Sequence, residues 1–542
     1  MLTLAASMTM LTKIQAMWPE IALFTATCVV MVVGLSPTRA IRKLCWPISA
    51  IALAIAGFLA YQTTPPMSDV LPNFAQYGKV LAAGIGLLLL LLLHGSADRD
   101  VEAAIDRGEP FDPLNTNRAE FYAFFLFSLT GLMLCAGADD LIWLFLALEL
   151  VSLPTYIMVA ISTRHNRSME ASVKYFFLGA MGAATFLYGF AMLYGGTGST
   201  NLGEIRFQLQ SQLAAGGINP IAMLGLILSV LGIAFKIAAV PMHFYTPDVY
   251  QGSSSPVAAF LAFVPKSAGF FSIILLVSTV GWIIPEAGGP ARLPAPLHEV
   301  LWIMAVLTMT VGNVLAILQT SLKRVLAYSS IAHSGYMLVG VVAGPGVGGN
   351  QFTSNGLAAV LFYLLTYGVM NLGCFAVIAC LERTGKDGQP DEIDSFDDLR
   401  GLVRSRPILG ATMVLCALGL LGFPPLVGFF AKLPLFTAGM YSGQVTLVVI
   451  LGLNSAIAAF YYLRLAAAPW LESGDAGTGD APVRLNALGG RTLAAAIAGV
   501  GVIALAFVPL TGFANHGGKW TGQAAPTAPA AAAAAVAEPT GR

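Results

Sequence analysis

Residues 221–277 read IAMLGLILSVLGIAFKIAAVPMHFYTPDVYQGSSSPVAAFLAFVPKSAGFFSIILLV. Two apolar runs of spanning length flank a short polar turn, and each run carries a lysine near its middle, Lys236 and Lys266. An ammonium at membrane depth costs about 2.5–3.5 kcal/mol on insertion scales. A leucine would avoid that cost, so lysines in two adjacent spans point to a path for charge. Each lysine also has a proline nearby, Pro241 and Pro265.

The rest of the chain has the same character. Of its 542 residues 57% are hydrophobic and only 10% charged, and mean hydropathy is +0.76. Soluble domains carry roughly 25% charged residues. This composition belongs to an integral membrane protein whose length is spent on many spans. A formal net charge of zero gives no basic footprint for nucleic acid. Six cysteines lie in or beside apolar runs without a CxxC pair and read as small buried hydrophobes. No cysteine cluster suits an iron–sulfur centre, and no GxGxxG follows a strand pattern. The chain is expected to hold no redox cofactor and no metal. Its first apolar run reads as a retained span rather than a cleaved signal.

Apolar runs predict an all-α protein with about fourteen transmembrane helices, near 20–36, 41–61, 75–94, 118–136, 141–162, 169–194, 219–242, 256–278, 299–319, 324–344, 356–381, 408–436, 444–468 and 490–511. The seventh contains Pro241, and the twelfth is overlong and interrupted by Pro424-Pro425. Both are expected to be broken helices, as in transporters built from inverted repeats. Loop charges test the count. With fourteen spans, eighteen lysines and arginines fall on one side, six on the other (Lys79 among these) and four within spans. The positive-inside rule then places both termini outside. The polar stretch 382–407 reads either as an amphipathic interface segment or as a solvated loop. The Ala/Pro-rich end, 524–542, reads as a disordered tail.

Five charges lie within the expected spans: Glu149, Lys174, Lys236, Lys266 and Lys432. Unpaired, they would cost roughly 10–18 kcal/mol. One carboxylate cannot neutralise four ammoniums, so some lysines pair, deprotonate or face internal water. Burial lowers a lysine's proton affinity and a nearby carboxylate restores it. A lysine whose carboxylate partner can approach or retreat is therefore an adjustable proton site, as a pump requires. Prolines at 154, 241 and 434 are expected to free the carbonyls of Leu150, Ile237 and Phe430, next to or near these charges. His243 comes two turns after Lys236, and His333 lies mid-span in VLAYSSIAHSGYMLVG. His243 fits a proton carrier best; His333 fits a hydrogen-bonded core histidine equally well. Asp248 has no partner visible in sequence and reads as a loop cap or a point of proton uptake.

The stretch FKIAAVPMHFYTPDVYQGSSSPVAAFLAFVPKSAGF closely resembles the antiporter-like subunits of proton-pumping NADH:quinone oxidoreductase, respiratory complex I. Lys236, Pro241, His243, Pro247 and Asp248 match the helix 7 pattern, Glu149 in ALELVSLPTY the helix 5 glutamate, and Lys266 the helix 8 lysine. LKRVLAYSSIAHSGY is a further family-like segment. TPDVYQG and a lysine, Lys432, in helix 12 make the resemblance N-like rather than L- or M-like. The resemblance implies a three-helix N-terminal segment (1–117), an antiporter-like core (118–468), an end carrying helix 14 (469–523) and the tail. It implies proton translocation coupled to electron transfer from NADH to quinone, with NADH, FMN, iron–sulfur clusters and quinone held by partner subunits. Glu149 and Lys236 would form the adjustable pair. Lys266 would relay toward Lys432, with Lys174 and His243 tuning the pair or assisting uptake. The implied neighbours are an M-type subunit, a K-type subunit and the lipid of a bacterial inner membrane. A multisubunit sodium/proton antiporter and a purely structural scaffold remain as the competing readings.

Overall fold

The structure is a computed structural model. It describes residues 10–507 apart from 63–69, 72, 107, 109–110, 112–115, 164–165, 284–289, 346–353, 385–389, 472–483 and 486–488. Both termini, the 524–542 tail and the loop cations Arg107, Arg164, Lys386, Lys519 and Arg542 lie outside the described residues.

The chain folds into α1 (Trp18–Gly34), α2 (Cys45–Tyr61), α3 (Phe74–Leu92), α4 (Arg118–Ala136), α5 (Leu141–Ala160), α6 (Asn166–Thr197), α7 (Pro220–Ile233), α8 (Thr246–Gly252), α9 (Ser255–Val280), α10 (Ala295–Ile317), α11 (Leu322–Ala343), α12 (Gly356–Ala379), α13 (Pro407–Leu421), α14 (Val427–Tyr441), α15 (Val445–Trp470) and α16 (Gly489–Ala504), with shorter helical turns at the ends of the bundle. Among the described residues eleven helical stretches are long and apolar enough to cross a membrane, and α1, α7 and α13 are shorter apolar helices. Helices dominate because no water is available in a bilayer to satisfy open backbone groups.

The all-α reading holds for the membrane protein as a whole, and one charge assignment needs correction. Beside the helices the chain adds a few residues of strand. Strands β1 (Leu381–Thr384), β2 (Pro390–Glu392) and β3 (Arg484–Leu485) form a small antiparallel sheet in the order β2-β1-β3. The described residues of the polar stretch after α12 therefore include paired strand. Lys323 pairs with Glu392 at 2.7 Å, and Arg99 holds Glu382 with two nitrogens at 2.5 and 2.6 Å. Burial raises the proton affinity of Glu392. The Lys323 ammonium and the Ser255 hydroxyl outweigh it and hold the carboxyl below its usual range. Lys79, counted above as a loop cation, is instead fully buried in α3 against Glu20 of α1, Nζ to Oε1 2.8 Å.

The core lies at α9, which is buried along its whole length, with α11 and α12 nearly so. These helices are apolar on all sides because they touch protein all round. Outer helices expose apolar faces, among them Phe58, Phe177, Tyr188 and Phe460. Close approach of α6 and α7 depends on glycine. A Cβ at Gly189 would lie 2.5 Å from the Ser229 backbone nitrogen, and one at Gly232 would lie 2.4 Å from that of Phe186. Packing of this kind substitutes for the hydrophobic drive that lipid does not supply.

Candidate functional site

The seventh and twelfth expected spans are both discontinuous. α7 stops at Ile233, eight residues before Pro241, so the proline marks the break without causing it. Between Ala234 and Tyr245 several backbone groups find side-chain partners. Tyr245 donates to the Phe235 carbonyl at 2.8 Å, Ser334 of α11 to the Ile237 carbonyl, and Thr308 of α10 accepts from the Val240 amide at 3.0 Å. Irregular backbone at membrane depth survives only with such buried support. The second break separates α13 from α14 at Gly422–Leu426, with Gly422 left-handed at φ 88°.

Lys236 sits in the first break. Its Nζ lies 3.3 Å from Glu149 Oε1 of α5 and donates also to the Ser152 hydroxyl one turn further on. The lysine side chain is 1% exposed and the carboxylate 19%. The two charges therefore meet at the edge of the bundle, where Leu146 and Leu153 of the same helix are exposed.

Lys266, midway along the wholly buried α9, has no such carboxylate among the described residues. Its Nζ donates to the carbonyl and the hydroxyl of Ser330, the latter at 2.6 Å, and lies 5.0 Å above the Tyr367 ring. Ser334 Oγ reaches both the Ser330 carbonyl, at 3.3 Å, and the Ile237 carbonyl beside Lys236. One hydroxyl thus joins the surroundings of the two lysines.

His333 comes next. Its ring nitrogens meet Tyr363 Oη at 2.6 Å and Tyr462 Oη at 2.7 Å, and its ring centre lies 5.1 Å from that of Tyr367 and 5.5 Å from that of Tyr336. Lys432 lies over the other aromatic of this group, Nζ 5.0 Å from the Tyr336 centroid, and donates to the Leu421 carbonyl at 2.7 Å. That carbonyl belongs to the last residue of α13, at the second break. The cation–ring contacts offset part of the cost of burying ammoniums without counter-charges.

The structure thus brings Glu149 and Lys236 together and sets Lys266, His333 and Lys432 in sequence beyond them. It does not bring the other two expected residues to the pair. Lys174 stands half exposed near the start of α6, bonded to Glu170 at 2.7 Å and Asp248 at 2.9 Å. α6 begins at Asn166, which carries Lys174 toward the surface and away from Glu149. His243 is buried beside Phe244, and among the described residues no hydrogen bond or ion pair joins it to Lys236. Asp248 has the partners that sequence did not show, Lys174 and Arg324 of α11, the latter at 2.8 Å. Sequence reasoning missed Ser152, Ser330 and Ser334 and the tyrosines around His333, because serines and tyrosines carry no signal inside apolar runs. The Glu20–Lys79 pair did have one, a carboxylate at the start of an expected span. Among the described residues no group of three His, Cys, Asp or Glu could hold a metal ion.

Comparison with known proteins fits this geometry. The transmembrane family described as NADH:quinone oxidoreductase/Mrp antiporter matches residues 138–458, which contain both breaks and all three buried lysines of the line. NADH-quinone oxidoreductase subunit N of Trichlorobacter lovleyi is 37% identical over 85% of this chain and 88% of its own length. The chain belongs to the subunit N family of NADH-quinone oxidoreductase. A chain of respiratory complex I from Thermus thermophilus superposes with a TM-score of 0.71 at 31% identity, covering 91% of this chain and 98% of that one. A chain of the Mrp complex from Dietzia has the same TM-score, 0.71, at 19% identity, over 96% and 98% of the two chains. That likeness shows the fold alone. Fold is common to the oxidoreductase and antiporter branches, and it is sequence that places this chain with subunit N.

Proposed function

We propose that this chain is a membrane-arm subunit of a respiratory NADH:quinone oxidoreductase that translocates protons while other subunits carry the electrons and redox groups. The line Glu149–Lys236–Lys266–His333–Lys432 supports this reading: one ion pair at the bundle edge, then buried bases held by hydroxyls, carbonyls and rings. Weakening the Glu149 contact lowers the proton affinity of Lys236, and strengthening it raises that affinity. Lys266 and Lys432, without carboxylate partners among the described residues, accept a proton only when their surroundings or a neighbouring charge allow it. The chain would cross a bacterial inner membrane fourteen times, counting each broken helix as one span, as two inverted repeats with both termini outside. Exposed apolar residues on α5 and α6, such as Leu153 and Phe177, are suited to cover by an M-type neighbour, and a K-type subunit would pack elsewhere on the bundle.

The test is Lys236→Met in the purified complex in proteoliposomes. Loss of this subunit's share of NADH-driven pumping with assembly intact is the expected result. Unchanged pumping would leave a scaffold. Copurification with small membrane subunits and no flavin, together with sodium-driven exchange, would favour the antiporter branch.

A further inference from the structure

The Ser334 hydroxyl stands between two acceptors. It donates to the Ile237 carbonyl at 2.5 Å, while the Ser330 carbonyl, one turn back on its own helix, lies 3.3 Å away. A serine inside a helix commonly bonds back to that carbonyl, four residues earlier. Crowding accounts for the other choice. A carbonyl oxygen has two lone pairs. In α11 the Ser330 carbonyl accepts the Ser334 amide, as in any α-helix, and the Lys266 ammonium takes the second place. A charged donor outcompetes a neutral hydroxyl there. While Lys266 carries its proton, the Ser334 hydroxyl is therefore turned to Ile237.

The Ile237 carbonyl belongs to the most strained part of the first break. The next residue, Ala238, is left-handed at φ 55°. A Cβ disfavours that conformation, which persists only where its surroundings hold it. Both ends of the Ile237–Ala238 peptide are held: the Ala238 amide donates to the Phe235 carbonyl at 3.0 Å, and Ser334 donates to the carbonyl side. Lys236 is the residue just before. α9 passes close behind it. A Cβ on Gly269 would lie 2.6 Å from Ile237 Cγ2 and 3.0 Å from Lys236 Cβ, so a freed segment shifts away from α9.

Resting on the proton-pumping reading above, we propose that Ser334 is a latch through which the charge on Lys266 sets the position of Lys236. With Lys266 charged, Ser334 holds Ile237, and Lys236 stays against Glu149. When a Lys266 N–H bond breaks and the proton passes to the next carrier of the line, the electron pair stays on Nζ and the hold on the Ser330 carbonyl weakens. The Ser330 hydroxyl keeps a partner in Tyr250 Oη at 3.3 Å, so the carbonyl is the group left open. Ser334 turns back to it. Ile237 is released, Ala238 leaves its left-handed conformation, and Lys236 shifts relative to Glu149. A loosened pair readies Lys236 to give up its proton. The latch thus orders the two lysines, with Lys236 emptying after Lys266 is empty. No proton passes through Ser334, which is a positioning residue.

Two measurements on the assembled complex test this. Ser334→Ala removes the latch and is expected to lose the same share of pumping as Lys236→Met, with complex yield unchanged. Separately, Val240→Cys, a partly exposed position of the break, is introduced in a chain whose exposed Cys28 is changed to serine. The rate at which N-ethylmaleimide labels this chain then reads the release of the segment. Lys266→Met takes the ammonium off the Ser330 carbonyl and should speed labelling as Ser334→Ala does. Because both act through one contact, the two together should label no faster than the faster single. A serine that served packing alone would give a rise with Ser334→Ala and none with Lys266→Met. An unchanged rate in Lys266→Met, or rises that add, would overturn the latch. So would full pumping by Ser334→Ala where Lys236→Met has lost its share. If Lys236→Met itself pumps fully, the parent reading fails, while the labelling rates still decide whether Lys266 controls the break through Ser334.

Discussion

At the scale of single residues, the protein buries charge in two different ways. Glu20 and Lys79 form a closed pair, with the Ala16 carbonyl also on the ammonium at 2.7 Å. Removing one member of such a pair costs about 3–5 kcal/mol, while replacing both with apolar residues of similar size is often neutral. Glu20→Leu or Lys79→Leu alone is therefore expected to lower the thermal inactivation temperature of the complex, and the double variant to recover most of the loss. A double variant as unstable as the sum of the singles would contradict this account. Lys266 and Lys432 follow the other pattern, held by neutral acceptors and ring faces. In the proposed reading, that difference separates a structural charge from a proton carrier. Glu392 supplies a pH-dependent case. Its folded proton affinity lies below the ordinary value of 4.5, so its stabilising contribution is present above that pH and lost as pH falls through the depressed folded value. Melting curves of Glu392→Gln and the unmodified chain should differ at neutral pH and converge as pH falls through that depressed value.

At the scale of elements, the helices were legible because a bilayer allows little else, and their ends lay within a few residues of the hydropathy limits. The α13–α14 break was legible in Pro424-Pro425. The end of α7 was not, since nothing at Ile233–Ala234 resembles a helix stop. It is set by Thr308, Ser334 and Tyr245, which are distant or unremarkable in sequence and take up the backbone groups of residues 235–240. The lysines were legible as misplaced charges; the serines and tyrosines that hold them are common in apolar spans and announce nothing. Lys174 was legible as a charge near a helix start, while its exposed position beside Glu170 and Asp248 was not, since hydropathy does not show which face a residue presents. The α6–α7 contact gives a direct prediction. Gly232→Leu drives a side chain into the Phe186 backbone, where overpacking costs typically 1–3 kcal/mol or more. It should reduce the yield of assembled complex, read by native gel, far more than Gly84→Leu, whose Cβ meets nothing within 4 Å.

At the scale of the whole molecule, the lysine line runs from the edge of the bundle through its most buried helix to the second break. If its members act in series, their losses do not add. The double variant Lys266→Met/Lys432→Met should pump no less than the worse of the two singles. Additive losses, measured as protons moved per NADH oxidised, would mean parallel routes instead. α9 has one more consequence, which concerns how the protein is made. Lys266 lies 64 residues before Ser330, whose carbonyl and hydroxyl receive it. At about 5–20 residues per second of synthesis, the ribosome delivers that partner roughly 3–13 s after the lysine. For that interval a helix destined for the centre of the protein waits with its ammonium unsolvated, and α11 and α12, which later enclose it, do not yet exist. Biogenesis of this chain therefore includes a stage at which the insertion machinery, rather than the fold, must shelter Lys266.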